Sequence, residues 1–208
     1  MREPAVGEFT GGPAYTSVKE GVQKILQGLQ MWGLDPQDEN FKDTPDRVAR
    51  AYGEIFGGMW DTDRRVGEIL KASFESSCKE MIVAEGVRVY SMCPHHLLPV
   101  EYDVAVAYIP DGRVLGISKL ARIVEILAKR PVLQETLTEE IADVLFKDGF
   151  GGMKSLGSAV RVRGVHYCMK MRGARQQNSK VVTSAIRGAF EQPEVRAEFL
   201  ALVNGGKL

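Results

Sequence analysis

The chain has 208 residues, 44% of them hydrophobic, which suits one domain of ordinary size with an extension and excludes a disordered chain. Lys plus Arg equals Asp plus Glu, at 27 each, so the balance argues against a general nucleic-acid binder while leaving room for a local basic pocket. No apolar run approaches the ~18 residues needed to cross a bilayer, and the N-terminus lacks a hydrophobic signal core, so no membrane association and a cytoplasmic location are expected.

The first dozen residues, rich in Gly and Pro, read as a mobile lead-in. From Tyr15 to Leu34 apolar residues recur at helical spacing: Val18, Val22, Ile25, Leu26, Leu29. Asp43-Thr44-Pro45 reads as a second helix start, with a capping side chain and a proline in the first turn. That helix runs through Val48, Ala51, Tyr52 and Ile55 and stops near Gly57-Gly58. A third short helix is expected around Val66 to Ala72.

The character changes after Cys78. Met81 to Tyr90 is rich in β-branched residues and reads as a strand. Val100 to Ile109 reads as another, closed by the turn Pro110-Asp111-Gly112. Ser118 is expected to cap a helix that ends before Pro131, and a second helix fits Thr136 to Phe146. Gly149 to Gly157 reads as a loop, Ala159 to Tyr167 and Val181 to Ile186 as strands, and Glu194 to Val203 as a closing helix. The expected division is a flexible segment 1–14, a helical region 15–75 and a second domain 76–208. Within the latter the order is ββααββ, an α+β arrangement with a helical pair inserted in an antiparallel sheet.

The cysteines are Cys78, Cys93 and Cys168, and the histidines are His95, His96 and His166. Two short neighbourhoods thus hold every histidine and two of the three cysteines. Cys93-Pro94-His95-His96 offers one thiolate and two imidazoles. Positions two apart on a strand face one side, so His166 and Cys168 are expected to share a pocket. Zinc favours thiolate and imidazole, and a catalytic site keeps a position open for water. Two cysteines and one histidine would give that arrangement. Buried cysteines with incidental histidines are the bland alternative, and Cys78 is read that way.

These residues resemble a known family, GTP cyclohydrolase I. The resemblance rests on Ser91-Met92-Cys93-Pro94-His95-His96-Leu97, Ala107-Tyr108-Ile109-Pro110, Gly116-Ile117-Ser118-Lys119-Leu120-Ala121-Arg122, Gln134-Glu135, His166-Tyr167-Cys168 and Arg172-Gly173, with Thr44-Pro45-Asp46-Arg47 upstream. It implies a tunnelling fold for 76–208, whose sheets join into an oligomeric barrel, and a homodecamer of two pentameric rings. It implies conversion of GTP and water to 7,8-dihydroneopterin triphosphate and formate, the entry to tetrahydrofolate and related pterins. By resemblance Cys93, His96 and Cys168 hold one zinc ion per subunit. Water activated there attacks C8 of guanine, His166 protonates N7 as the ring opens, and His95 relays a proton as formate leaves. Glu135 anchors guanine through its N1–H and exocyclic amine, with Gln134 beside it. Ser118, Lys119, Arg122 and Arg172 hold the triphosphate, Arg47 reaches it from a neighbouring subunit, and Ser118 assists the later ribose rearrangement.

The chain also departs from the family pattern. Pro94 stands where an acidic residue is usual, Thr136 where a basic one is, and Arg163 where an acidic one often is. Glu101-Tyr102-Asp103 replaces a stretch that usually holds Gly and a basic residue, and the loop from Gly149 is longer than typical. These differences motivate an alternative: a zinc hydrolase of the same fold that only opens the purine ring, or that acts on a modified purine nucleotide. A non-catalytic purine-binding scaffold is a third reading, disfavoured by the five retained Cys and His residues.

Overall fold

The computed structural model describes residues 11–146 and 155–204. The expected mobile lead-in lies mostly outside the described residues, as does most of the expected loop from Gly149. The chain forms two compact units, Met1–Gly57 and Gly58–Leu208. In the first, helix α1 (Pro13–Gln30) packs on α2 (Thr44–Ile55). Each has a proline in its first turn, where a missing N–H costs no helical bond. Asp43 occupies the N-cap of α2, but its side chain makes no cap bond. Asp43 pairs instead with Arg47 at 3.5 Å.

In the second unit α3 (Thr62–Lys71) precedes a four-stranded antiparallel sheet in the order β2-β3-β5-β6. Its strands are β2 (Ile82–Met92), β3 (Pro99–Pro110), β5 (Ser155–His166) and β6 (Val181–Gly188). Helices α4 (Ile117–Ala128) and α5 (Gln134–Phe146) fall between β3 and β5 in sequence. Strand alternation divides the sheet into two faces. Val100, Tyr102, Val104 and Val106 join the core under α4 and α5. Ala105, Ala107 and Ala159 face Phe190 and the apolar side of α7 (Pro193–Val203). Small residues on that second face let α7 approach closely. Buried Ser158 and Ser155 donate to the carbonyls of Ala142 and Leu145 on α5, which fixes that helix against β5.

Three expectations are corrected. Ser118 does not cap α4. Gly116 holds the N-cap with no side-chain bond, and Ser118 lies in the first turn with its side chain exposed. Ser155, Leu156 and Gly157 belong to β5 rather than to a loop, because Ser155 and Gly157 pair with Pro110 and Ile109 across the sheet. Cys168 is not on a strand. β5 ends at His166, and Cys168 sits in a one-turn helix α6 (Tyr167–Lys170). Two short strands, β1 (Ser73–Glu75) and β4 (Arg113–Leu115), pair with each other and were not expected. At three residues each they are too brief for alternation to register.

Candidate metal centre and purine site

The loop from Cys93 to Leu98 is closed by its own backbone. Cys93 N–H donates to Leu98 C=O at 2.9 Å, while the N–H groups of His96 and Leu97 both donate to Cys93 C=O. Pro94 therefore sits second in a turn whose donors lie further on. Its fixed φ suits that position, and its missing N–H is not needed. The turn also carries backbone strain. Leu97 has φ of 49°, an uncommon left-handed conformation for a residue with a side chain.

This turn brings donors together. Cys93, His96 and Cys168 each offer a ligand atom within 4.8 Å of the other two, and together they could hold a metal ion. Cys93 Sγ lies 3.6 Å from His96 Nδ1 and 3.9 Å from His95 Nδ1. Cys93 is buried, Cys168 half-buried and His96 exposed, so the cluster opens to solvent on one side. Burial pushes the Cys168 thiol pKa up, and the adjacent Cys93 sulfur adds to the rise. Two soft sulfurs and one imidazole match the donor set that zinc accepts, with room for a fourth ligand. Arg172 Nη1 lies 3.0 Å from His96 Nε2, so a cation stands at the rim.

His166, at the end of β5, faces inward. Its Nε2 is 2.8 Å from Gln134 Oε1. Its ring meets the ring of Tyr102 edge-on, with centroids 6.1 Å apart. Burial lowers the His166 pKa, and the nearby Glu135 carboxylate opposes that shift in part. Gln134 itself is only 2% exposed, and its side-chain amide is spent on protein groups. Glu135, the next residue on α5, is exposed. Ser118 and Arg122 are exposed on the first two turns of α4, with Lys119 half-buried beside them. Arg47 belongs to the first unit, on α2.

The family profile described as GTP cyclohydrolase I matches residues 18–204. The chain belongs to the GTP cyclohydrolase I family. It is thereby a hydrolase. A protein named GTP cyclohydrolase 1 from Dehalococcoides mccartyi (strain ATCC BAA-2266 / KCTC 15142 / 195) is 45% identical over 190 residues, covering 90% of this chain and 95% of that protein. Another of that name, from Thermoanaerobacter pseudethanolicus, is 47% identical over 192 residues, covering 91% and 97%. A third, from Streptomyces avermitilis, is 38% identical over 203 residues, covering 97% and 94%.

Within this GTP cyclohydrolase I family member, the residues behind His166 escaped the sequence reading. Thr138, Thr183, Gly164 and Tyr102 surround Gln134 and His166 but come from four different elements. The one local signal was the Gln134–Thr138 spacing of four, which places both on one face of α5.

Proposed function

We propose that this protein is a zinc-dependent GTP cyclohydrolase I that converts GTP and water to 7,8-dihydroneopterin triphosphate and formate, at the start of tetrahydrofolate or related pterin synthesis. The observation that carries the reading is the convergence of Cys93, His96 and Cys168, with His95 beside them. Cys93, His96 and Cys168 would hold the zinc. When bound, zinc supplies Lewis acidity and activates a water molecule as a nucleophile at neutral pH.

The protein's own groups do the rest. Glu135 accepts from the guanine N1–H and exocyclic amine together, a pattern adenine does not offer. His166 hands a proton to N7 as the imidazole ring opens at C8. His95 moves a proton as formate departs. Ser118, Lys119, Arg122 and Arg172 hold the triphosphate, helped by the positive end of the α4 dipole. Arg47 adds a contact from a neighbouring subunit.

The same reading includes a tunnelling fold, closure of several sheets into a barrel, and a homodecamer of two five-membered rings in the cytoplasm. The open sheet edges support it. Among the described residues β2 and β6, 11 and 8 residues long, each pair with a strand on one side only. Long unpaired edges of this kind invite another chain.

Incubation of purified protein with GTP, with and without a chelator, tests the proposal. A pterin that is fluorescent after oxidation, lost with the chelator, is expected. Formate without pterin would replace the reading by the ring-opening alternative. His166→Ala is expected to keep its metal and lose turnover.

A further inference from the structure

Gln134 makes four polar contacts through its side chain, and together they fix where every proton lies. Its Nε2 is 3.2 Å from Val162 C=O, 3.1 Å from Val181 C=O and 3.1 Å from Thr183 Oγ1. Backbone carbonyls can only accept, so the atom facing them must be the amide nitrogen. The usual freedom to exchange amide N and O is thereby removed. Oε1 is then the atom facing His166 Nε2 at 2.8 Å. An oxygen of this kind has no hydrogen to give, so His166 Nε2 must donate.

The surroundings hold this arrangement in place. Thr138 Oγ1 donates to Gln134 C=O at 2.6 Å. Its hydrogen is used there, so Thr183 Oγ1 donates in the 2.7 Å contact between the two hydroxyls. Gly164 provides the space. A Cβ there would stand 2.2 Å from Gln134 Oε1 and 3.0 Å from His166 Nε2.

We propose that Gln134 is a positioning residue that locks His166 in the Nε2–H tautomer, leaving Nδ1 as the nitrogen that exchanges protons with the purine. The role in turnover rests on the acid–base assignment of His166 above; the tautomer itself does not. Nδ1 keeps its lone pair in the neutral ring and carries the transferable proton in the charged one. Nε2 keeps its hydrogen throughout. A freely flipping ring would present the wrong nitrogen for part of the time. Gln134 therefore acts through His166 and has no amide hydrogen left for guanine.

The test is a nitrogen-15 NMR measurement on metal-loaded protein labelled at histidine, at mildly alkaline pH. Three histidines make assignment by single substitutions direct. His166 is expected wholly as the Nε2–H tautomer. Gln134→Met keeps the volume and removes the acceptor. It should give a tautomer mixture and lower kcat by roughly 10- to 100-fold, with KM for GTP moving far less. An Nδ1–H tautomer in the unsubstituted protein would overturn the proposal without any variant. So would a Gln134→Met protein that keeps the Nε2–H form, or one that loses it at full kcat. If His166→Ala were still active while the tautomer held, the acid–base assignment would fall and the locked geometry would stand.

Discussion

Tyr102 on β3 lies directly opposite Gly164 on β5. One of the two tyrosines on the inner face of that strand thus meets a position with no side chain. A Cβ at 164 would lie 2.9 Å from Tyr102 Cε1, besides its clash with Gln134 Oε1. Gly164→Ala is therefore expected to destabilise the protein by about 1–3 kcal/mol, the usual scale for overpacking a filled core. Tyr102→Leu in the same chain relieves one clash and leaves the other, so recovery should be partial. Urea denaturation of the single and double variants reads this out. Full recovery would mean that Gln134 moves aside freely.

The hydroxyl of Tyr102 is a second consequence of that pairing. The residue is fully buried, and among the described residues its hydroxyl has no hydrogen-bond partner. Burial raises its pKa, so it stays neutral. An unsatisfied buried polar group costs about 1–3 kcal/mol. Tyr102→Phe keeps the edge-on contact with His166 and removes the orphan. The expected result is an unchanged or higher midpoint of denaturation. A clear loss of stability would show that the hydroxyl finds a partner in solution.

Pro94 is the departure that sits inside the Cys93–Leu98 turn, and the backbone accommodates it. The donors of the turn are His96 and Leu97, not residue 94. Pro94→Ala should then loosen the loop rather than repair it. The expected loss is about 0.4–1 kcal/mol of stability, arising mostly from a freer unfolded chain. Metal affinity should also fall, because the ligand turn is less pre-organised. A thermal melt and a competition titration against a zinc indicator measure the two effects. An alanine variant that binds metal more tightly would contradict this account.

The cluster of Cys93, His96 and Cys168 was legible in the sequence because cysteine and histidine are scarce and grouped here. The main helices and strands were legible because their apolar periods are sustained. What the sequence hid were short and long-range features. Cys168 follows a strand with no breaker before it, and only the structure reveals that the chain turns at Tyr167. The Gln134 network joins residues 28 to 49 positions apart, a separation at which local pattern is silent. Two departures also find a reason only in the register. Asp103 lies directly opposite Arg163 on the neighbouring strand. The acidic residue on β3 and the basic one on β5 thus answer each other across the sheet, a favourable arrangement for opposite charges.

In the first unit Asp46 gathers three partners, and α1–α2 packing is expected to depend on pH through it. It accepts from Lys19 Nζ at 2.8 Å and from the Tyr15 hydroxyl, and it pairs with Arg50 at 3.1 Å. The hydrogen bond from Lys19, followed by that from Tyr15, holds its carboxyl below the usual aspartate range. A carboxyl that binds its proton less readily folded than unfolded stabilises the fold above its unfolded pKa. That contribution is lost as pH falls through the depressed folded value. Amide exchange along α1 should therefore quicken relative to its intrinsic rate as the solution becomes strongly acidic. Asp46→Asn should exchange faster than the parent at neutral pH and lose the acid-dependent step. Equal protection of the two proteins at neutral pH would show that Asp46 does not tie α1 to α2.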